Sequence, residues 1–338
     1  MKNNQLMIYG AYGYAGELMV REAVAQRLRP IIAGRDAEKL KPIATELSLE
    51  CRAFGVRNTG SNLQDISVLL NCAGPFSATA EPLARACLAQ QIHYLDITGE
   101  IDIFRKCHAL DEEARQQNVL ILPGAGTDIV PTDCLAAMLK EKLPVATRID
   151  LALSFGTNPS IGTVNTMIES FGKGGLIREG GMLKVVSNAF QMRKIPFQNK
   201  PQWAMTIPWG DVFTSGISTG VPDGAVYMAM PRMSIYMIRL TNPVKGILNT
   251  QFGQKITKRL AGWLMKKGPD AKALEAGRGQ FWGEAEAPDG EKLEMTMSTP
   301  NVYALTATVG IRIAQYCLDY TGPCGYYTPS MLLGSRFI

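Results

Sequence analysis

The chain predicts an α/β protein: a Rossmann-type doubly wound parallel sheet with an inserted α+β second domain. Three observations carry this prediction. Short apolar runs alternate with amphipathic stretches of helical spacing over residues 1–149, a rhythm that builds a parallel sheet covered by helices on both faces. A glycine triplet, Gly10-Ala11-Tyr12-Gly13-Tyr14-Ala15-Gly16, directly follows the first apolar run. The alternation breaks near Arg148, after which strand-like runs mix with loops rich in glycine, proline, threonine and methionine.

Residues 6–9 read as the first strand, 14–26 as the first helix and 30–33 as the second strand. Asp36 caps the next helix, where Leu40, Ile43, Ala44 and Leu47 recur at helical spacing, and Pro42 inside it predicts a kink or a late start. Residues 68–72 read as a buried strand, and Ala80, Leu83, Ala84, Cys87, Leu88 and Gln91 trace one helical face. A strand at 93–97 precedes a helix with Ile103, Cys107, Leu110 and Ala114 in register, and 119–122 is the next strand. Pro131 opens a helix to Lys142 with Leu135, Met138 and Leu139 inward. The region is expected to form a six-stranded open sheet, of which these five strands are the legible ones. Further on, 279–299 reads as a β-hairpin turning at Pro288-Asp289-Gly290, with Leu293, Met295 and Met297 alternating toward a core. Residues 303–318 form a final helix that packs back on the first domain. The expected domains are therefore 1–149 with 300–338, and 150–299.

Composition excludes several classes. A net charge of +5, from 35 basic and 30 acidic residues, is too small and scattered for a nucleic-acid partner. The polar residues 1–5 lack the succession of a signal peptide, and the longest apolar stretch, 225–240, is broken by Pro231, Arg232 and Arg239, so no transmembrane helix is expected. Seven cysteines stand singly, with no Cys-x-x-Cys pair, which fits reduced thiols and a cytoplasmic protein. His93 and His108, the two histidines, have no metal-ligand spacing, so neither a metal site nor a Ser-His-Asp triad is expected. Lys255, Lys258, Arg259, Lys266 and Lys267 interleave with Ile256, Leu260, Trp263 and Leu264. That pattern is an amphipathic helix, serving either as a solvated face over a small core or as a peripheral membrane contact.

The glycine triplet sits where a dinucleotide fingerprint must sit, between first strand and first helix. Missing side chains let the backbone turn tightly and approach a diphosphate, and the helix N-terminus presents N–H groups and partial positive charge. Residues 10–16 are thus the candidate phosphate loop. The second strand ends in Ala33-Gly34-Arg35-Asp36, and Arg35 stands where an NAD-specific chain places an acid. A guanidinium suits the 2′-phosphate of NADP(H), and Asp36 is read as the cap of the following helix. Asn71-Cys72-Ala73-Gly74-Pro75-Phe76 closes the fourth strand, so Ala73, Gly74 and Pro75 are candidates to pass under the ribose or nicotinamide, or else form an ordinary turn.

Taken in order, these segments resemble the saccharopine dehydrogenase-like proteins, including the trans-acting enoyl reductases. The likeness continues through Tyr94-Leu95-Asp96-Ile97-Thr98-Gly99-Glu100, Gly124-Ala125-Gly126-Thr127-Asp128, Tyr303-Ala304-Leu305-Thr306-Ala307 and Thr328-Pro329-Ser330. In the middle only Gly162-Thr163 is similar. The resemblance implies an NADP-binding Rossmann domain, an inserted substrate and dimerisation domain, a tail returning to the first, and a homodimer. It also implies reduction of C=N or C=C bonds, and carries Gly10, Gly13, Gly16 and Arg35 over as cofactor residues.

Hydride transfer requires a placed nicotinamide and one proton donor or acceptor. Thr98, Glu100 and Asp128 follow the fifth and sixth strands, on the edge where such donors belong, and are the catalytic candidates. Glu100 also reads as a first-turn helix acid and Asp128 as a helix cap. The Tyr-x-x-x-Lys pair of short-chain dehydrogenases is absent. The expected activity is NADPH-dependent reduction of a small acyl or amino-acid-like substrate. The alternative is a noncatalytic NADP-binding protein whose second domain meets a partner or lipid surface.

Overall fold

Short apolar strands leave water only when helices cover both faces of their sheet, and the first one has that cover. In the computed structural model, which describes residues 4–155, 174–240, 242–244, 250 and 277–338, β1 (Gln5–Tyr9) is buried from Leu6 onward. It pairs in parallel with β2 (Ile31–Gly34) and with β4 (Ile66–Asn71). Beyond them lie β3 (Cys51–Ala53) on one side, and β5 (His93–Asp96) and β6 (Leu120–Leu122) on the other, all parallel. The connecting helices are α1 (Tyr14–Ala25), α2 (Ala37–Leu47), α3 (Phe76–Ala89), α4 (Ile101–His108) and α5 (Asp111–Gln116). Their buried faces follow the spacing: Ala80, Leu83, Ala84, Cys87 and Leu88 of α3 all point inward. Pro42 lies inside α2 without delaying its start. Asp36 Oδ1 accepts the N–H groups of Glu38 and Lys39 at 3.1 and 3.3 Å, which makes it the cap the sequence predicts.

The sheet has seven strands rather than six. A tail strand, β15 (Gly325–Tyr326), adds in parallel to β6, giving the order β15-β6-β5-β4-β1-β2-β3. The winding therefore reverses between β1 and β4. Two residues carry no periodicity, so this strand leaves no sequence signal. It is held instead by Asp111, whose Oδ1 accepts the Tyr326 N–H at 2.7 Å. Tyr320 and Tyr327 donate their hydroxyls to the Pro323 carbonyl, so the tyrosine-rich tail packs at the β6 edge. Helix α9 (Val302–Leu318) packs back on this layer as expected: a Cβ on Gly310 would meet Met19 Cε at 2.5 Å.

The chain divides into two compact units, Met1–Val130 with Tyr303–Leu332, and Pro131–Val302 with Leu333–Ile338. Helix α6 (Val130–Lys142) and residues Leu333–Ile338 thus go largely with the second unit, where the alternation predicts them with the first. The second unit is a mixed sheet. It comprises β7 (Arg148–Phe155), β8 (Gly175–Glu179), β9 (Met182–Val186), β10 (Met192–Pro196), β11 (Pro201–Thr206), β12 (Asp223–Ala229), β13 (Gly279–Glu286) and β14 (Lys292–Thr299). Its described helices include α7 (Asp211–Thr219) and α8 (Arg232–Leu240). The expected hairpin is β13–β14, paired from Gly279↔Thr299 to Glu286↔Lys292. Leu293, Met295 and Met297 share one face but are only half-buried, because β14 is an edge strand. Residues 255–267 and Gly162-Thr163 lie outside the described residues.

One side chain reports the curvature of this sheet. Arg193 stands on β10, four strands from β13 in the order β10-β11-β12-β7-β13-β14. A flat sheet would separate those strands by about 19 Å, yet the Arg193 guanidinium lies 4.6 Å from the Trp282 ring of β13. It also donates through Nη1 and Nη2 to the two Glu284 oxygens at 3.2 and 3.1 Å. The sheet must therefore coil until its β10 edge overlies Trp282, enclosing Ala152, Ile195, Phe197, Tyr227 and Trp282. Glu284 and Asp150 are both buried, and Arg193 sits 3.6 Å from Asp150 as well. Replacing Arg193→Ala removes the cation shared by two buried carboxylates, leaving Arg148 to Asp150 and Lys292 to Glu284, and should cost roughly 2–4 kcal/mol in urea unfolding. A loss within error of zero would show that the coil does not need this contact.

Candidate functional site

The reversal of strand order sets the ends of β1 and β4 side by side, and the glycine triplet stands there. Gly10 leaves β1 at φ +86°, and a Cβ on it would sit 2.7 Å from the Ala73 nitrogen in the loop after β4. A Cβ on Gly16 would land on the Gly10 carbonyl oxygen. Both glycines are therefore demanded by close backbone approach. The N–H groups of Gly10 and Ala11 donate to the Ala33 carbonyl at 2.7 and 3.1 Å, which ties the turn to the end of β2. Gly13 is the extended residue before α1 and offers no side-chain cap, and the first helical bond runs from Glu17 N–H to the Gly13 carbonyl at 2.8 Å. First-turn N–H groups have no intrahelical acceptor, so an anion placed before Tyr14, Ala15 and Gly16 meets main-chain donors and the positive helix end. These residues fit a dinucleotide diphosphate.

The end of β2 fits the adenosine side. The Tyr12 ring lies against Gly34, where a Cβ would meet Tyr12 Cε1 at 2.6 Å. Lys39 Nζ lies 5.7 Å from the centre of the Tyr12 ring and 3.5 Å from Asp36 Oδ2. Arg35 is exposed at this strand end. Burial and the neighbouring Tyr12 push the Tyr9 hydroxyl above its usual range while the Arg35 charge opposes them, and Tyr9 donates to the Phe54 carbonyl at 3.0 Å. Two cations, Arg35 and Lys39, thus stand near the end of β2, a charge arrangement that fits a 2′-phosphate, and Asp36 is occupied in capping α2.

Across the reversal, a buried polar network joins three strand ends. Asn71 Oδ1 accepts the Ala73 N–H at 3.0 Å, and its Nδ2 donates to Thr79 Oγ1 and to the Tyr94 hydroxyl, each at 3.2 Å. Thr79 donates in turn to the Ala73 carbonyl at 2.6 Å. Tyr94 donates to Asp96 Oδ2 at 2.9 Å, while Asp96 Oδ1 accepts the N–H groups of Thr98 and Gly124 at 3.0 Å each. Asp96 is fully buried. Burial raises its carboxyl to about 6 even though all three of these hydrogen bonds favour the ionised form. The loop Ala73-Gly74-Pro75, with a cis Gly74–Pro75 bond, is fixed in place by this network.

The catalytic candidates fall into two groups. Thr98 is fully buried, and its hydroxyl accepts the Glu100 N–H at 3.1 Å. Glu100 Oε1 accepts the Phe76 N–H at 3.2 Å, so this acid caps the start of α3 rather than its own helix and fastens the loop after β5 to the loop after β4. Asp128 lies half-buried on the loop after β6, and desolvation raises its carboxyl to about 7. That loop is anchored by α9: Thr127 N–H donates to Thr306 Oγ1 at 3.1 Å, and the two hydroxyls bond at 3.0 Å. The Tyr303 ring meets Tyr14 of the phosphate loop edge-on at 5.2 Å. Asn71, Tyr94, Asp96 and Lys39 were missed by reasoning on spacing. Asn71 and Asp96 do leave one signal, as polar residues ending largely apolar strands, and the sheet pairs them in register.

Comparison with known proteins agrees with this geometry. Residues 6–122 are similar to the saccharopine dehydrogenase NADP binding domain, which agrees with NADP(H) binding by the parallel sheet of the first unit. A saccharopine dehydrogenase-like oxidoreductase of Rattus norvegicus is 26% identical over 231 residues, covering 60% of this chain and 53% of that protein. A Mycobacterium tuberculosis protein assigned to the trans-acting enoyl reductases is 28% identical over 206 residues, 54% of this chain and 44% of its own. The chain spans about half the length of the curated relatives it matches. The fold is similar to that of saccharopine dehydrogenase (L-Glu forming) from Saccharomyces cerevisiae, with TM-score 0.66 and 10% identity over 98% of this chain and 95% of that one.

Asp96 gives a stability test. Its carboxyl is raised from 3.8 to about 6 in the folded chain. Between those values the folded chain keeps the proton that the unfolded chain has released, so this group's contribution falls as pH rises through that window. Asp96→Asn should remove of the order of 1 kcal/mol from the stability difference between about pH 5 and about pH 7. An unchanged difference in thermal and urea unfolding would mean the carboxyl stays ionised throughout.

Proposed function

We propose that the chain is an NADPH-dependent reductase that adds hydride to the C=C bond of an enoyl group, or to a C=N bond, in a small acyl or amino-acid-like substrate. The observation that carries this reading is the approach of Gly10 to Ala73, which joins the loops after β1 and β4 at the winding reversal, where such sheets hold a dinucleotide. Bound NADPH supplies the hydride. The chain's own residues bind, orient and protonate. Residues 10–16 hold the diphosphate, Arg35 with Lys39 holds the 2′-phosphate, and Ala73, Gly74 and Pro75 pass under the ribose and nicotinamide.

For the proton, Asp128 is the best-suited candidate. A carboxyl raised to about 7 by desolvation is partly protonated near neutrality, as a general acid requires. Thr98 and Glu100 serve as positioning residues in this reading, since their bonds go to the backbone of Glu100 and Phe76. The enoyl version draws its support from the trans-acting enoyl reductase relative. The proposal includes a cytoplasmic homodimer, and the seven cysteines, five of them buried and none in a Cys-x-x-Cys pair, support a reducing compartment.

Fluorescence titration with NADPH and NADH tests the cofactor assignment. Arg35→Ser should weaken NADPH binding roughly 10–100-fold and leave NADH binding unchanged, since it removes charge-assisted bonds to one phosphate. Asp128→Asn should retain NADPH binding and lose most turnover with enoyl or imine substrates. Equal affinity of the parent chain for both cofactors, with Arg35→Ser indistinguishable from it, would overturn the assignment.

A further inference from the structure

A row of buried hydrogen bonds runs from the loop after β4 to the end of β5, and main-chain groups fix its direction at both ends. At one end the Ala73 N–H can only donate, so Asn71 turns Oδ1 to it at 3.0 Å and Nδ2 to the Tyr94 oxygen at 3.2 Å. At the other end the Thr98 and Gly124 N–H groups both donate to Asp96 Oδ1 at 3.0 Å. The Tyr94 oxygen therefore accepts from Asn71, and its hydrogen goes to Asp96 Oδ2 at 2.9 Å. Asn71, Tyr94 and Asp96 are each fully buried, so bulk water does not replace a lost partner.

A proton on Asp96 reverses this row. Oδ1 is taken by the N–H donors, so the proton sits on Oδ2 and faces the Tyr94 oxygen. Tyr94 must then turn its own hydrogen toward Asn71 Nδ2, another donor. Asn71 relieves that clash by turning over, which sets Nδ2 against the Ala73 N–H, donor against donor. The same turn sets Oδ1 against the oxygen of Thr79, whose hydrogen is given to the Ala73 carbonyl. Ala73 is where the phosphate turn packs: a Cβ on Gly10 would lie 2.7 Å from its nitrogen, and the adjacent Cys72 N–H donates to the Tyr9 carbonyl at 2.8 Å. Protonation at the end of β5 is thus felt beside Gly10.

The surroundings leave Asp96 as the group that titrates. Tyr94 on its own strand, Cys72 on the loop after β4 and Cys107 on α4 are all pushed up by burial and stay neutral. Glu81 and Lys106, which also act on Cys107, pair with each other at 2.9 Å. The loops after β5 and β6 offer Asp96 the N–H groups of Thr98 and Gly124.

We propose that Asp96 is a positioning residue for the cofactor: its ionised carboxylate, acting through Tyr94 and Asn71, holds Ala73 where NADP(H) is gripped, and a proton taken up there loosens the nucleotide. The proposal rests on the reading of the first unit as an NADP(H) site and needs no assignment of substrate or reaction.

Calorimetric titration of the full chain with NADP+ from about pH 5 to about pH 8 is the test. The 2′-phosphate, and Asp128 at about 7, titrate over part of that range, so the parent is read against variants that keep both. With Asp96 at about 6, parent affinity should fall roughly fivefold further than theirs between about pH 7.5 and about pH 5. Asp96→Asn keeps an oxygen for the Thr98 and Gly124 N–H groups and sets Nδ2 against Tyr94, as the protonated acid does. It should bind NADP+ roughly fivefold more weakly at about pH 7.5 and lack the further fall. Tyr94→Phe cuts the row, so Asp96→Asn/Tyr94→Phe should recover most of that affinity, which a plain loss of packing would not allow. Thermal unfolding is the fold control. If Asp96→Asn unfolds, Tyr94→Phe alone decides, since it should also lack the further fall. Superimposable profiles for the parent and a folded Asp96→Asn or Tyr94→Phe overturn the proposal, as does a double variant no tighter than Asp96→Asn. A parent that binds no NADP+ at any pH overturns the cofactor assignment itself, and this proposal with it.

Discussion

The nucleotide-binding layer depends on one buried carboxylate. Asp96 ends β5 with no exposure to water, a costly place for an acid unless its lone pairs are filled. They are filled by Tyr94 from its own strand, by Thr98 from the loop that follows, and by Gly124 from the loop after β6. Through Tyr94 and Asn71 the same network reaches Ala73 in the loop after β4. Strand ends are where backbone pairing stops and loops are free to wander. Here three such ends are pinned to one side chain, and they are the surfaces on which a cofactor must lie. Loss of any single partner would leave a charge or hydroxyl buried and unpaired, so the network holds or fails as a unit.

A second constraint comes from far along the chain. Helix α9 supplies Thr306 to the loop after β6 and Tyr303 to the phosphate loop, and packs its Gly310 onto Met19 of α1. The separated segments that carry the family resemblance, around Gly10, Gly124 and Tyr303, are therefore neighbours in space. Their residue types follow from mutual fit. A side chain at Gly10 would strike Ala73, and one at Gly126 would crowd Thr306.

Much of this layer was legible because burial imposes a period. The helical face of α3, the cap at Asp36 and the hairpin at Pro288-Asp289-Gly290 each leave a local signature. What escaped was nonlocal. Asn71, Tyr94 and Asp96 lie up to 25 positions apart, and no spacing rule joins residues that meet through strand pairing. Glu100 reads as the acid of its own helix, yet it serves the helix before it, because the loops after β4 and β5 converge. The hydrophobic alternation of β14 was legible but its depth was not: the pattern shows which face turns inward, while edge position decides how far it is covered. Arg193 was silent for the same reason, since only a coiled sheet brings it to Trp282.

The first unit is closed by residues 303–332, with the whole second sheet encoded in between. A ribosome therefore releases β1 to β6 long before the segments that brace them. Until Thr306 arrives, the turn at Thr127 lacks its hydroxyl partner, and until Gly325 and Tyr326 arrive, β6 remains a bare edge exposed to wrong pairing. Maturation of the nucleotide cradle thus waits for residues 303–326 rather than following directly on β6.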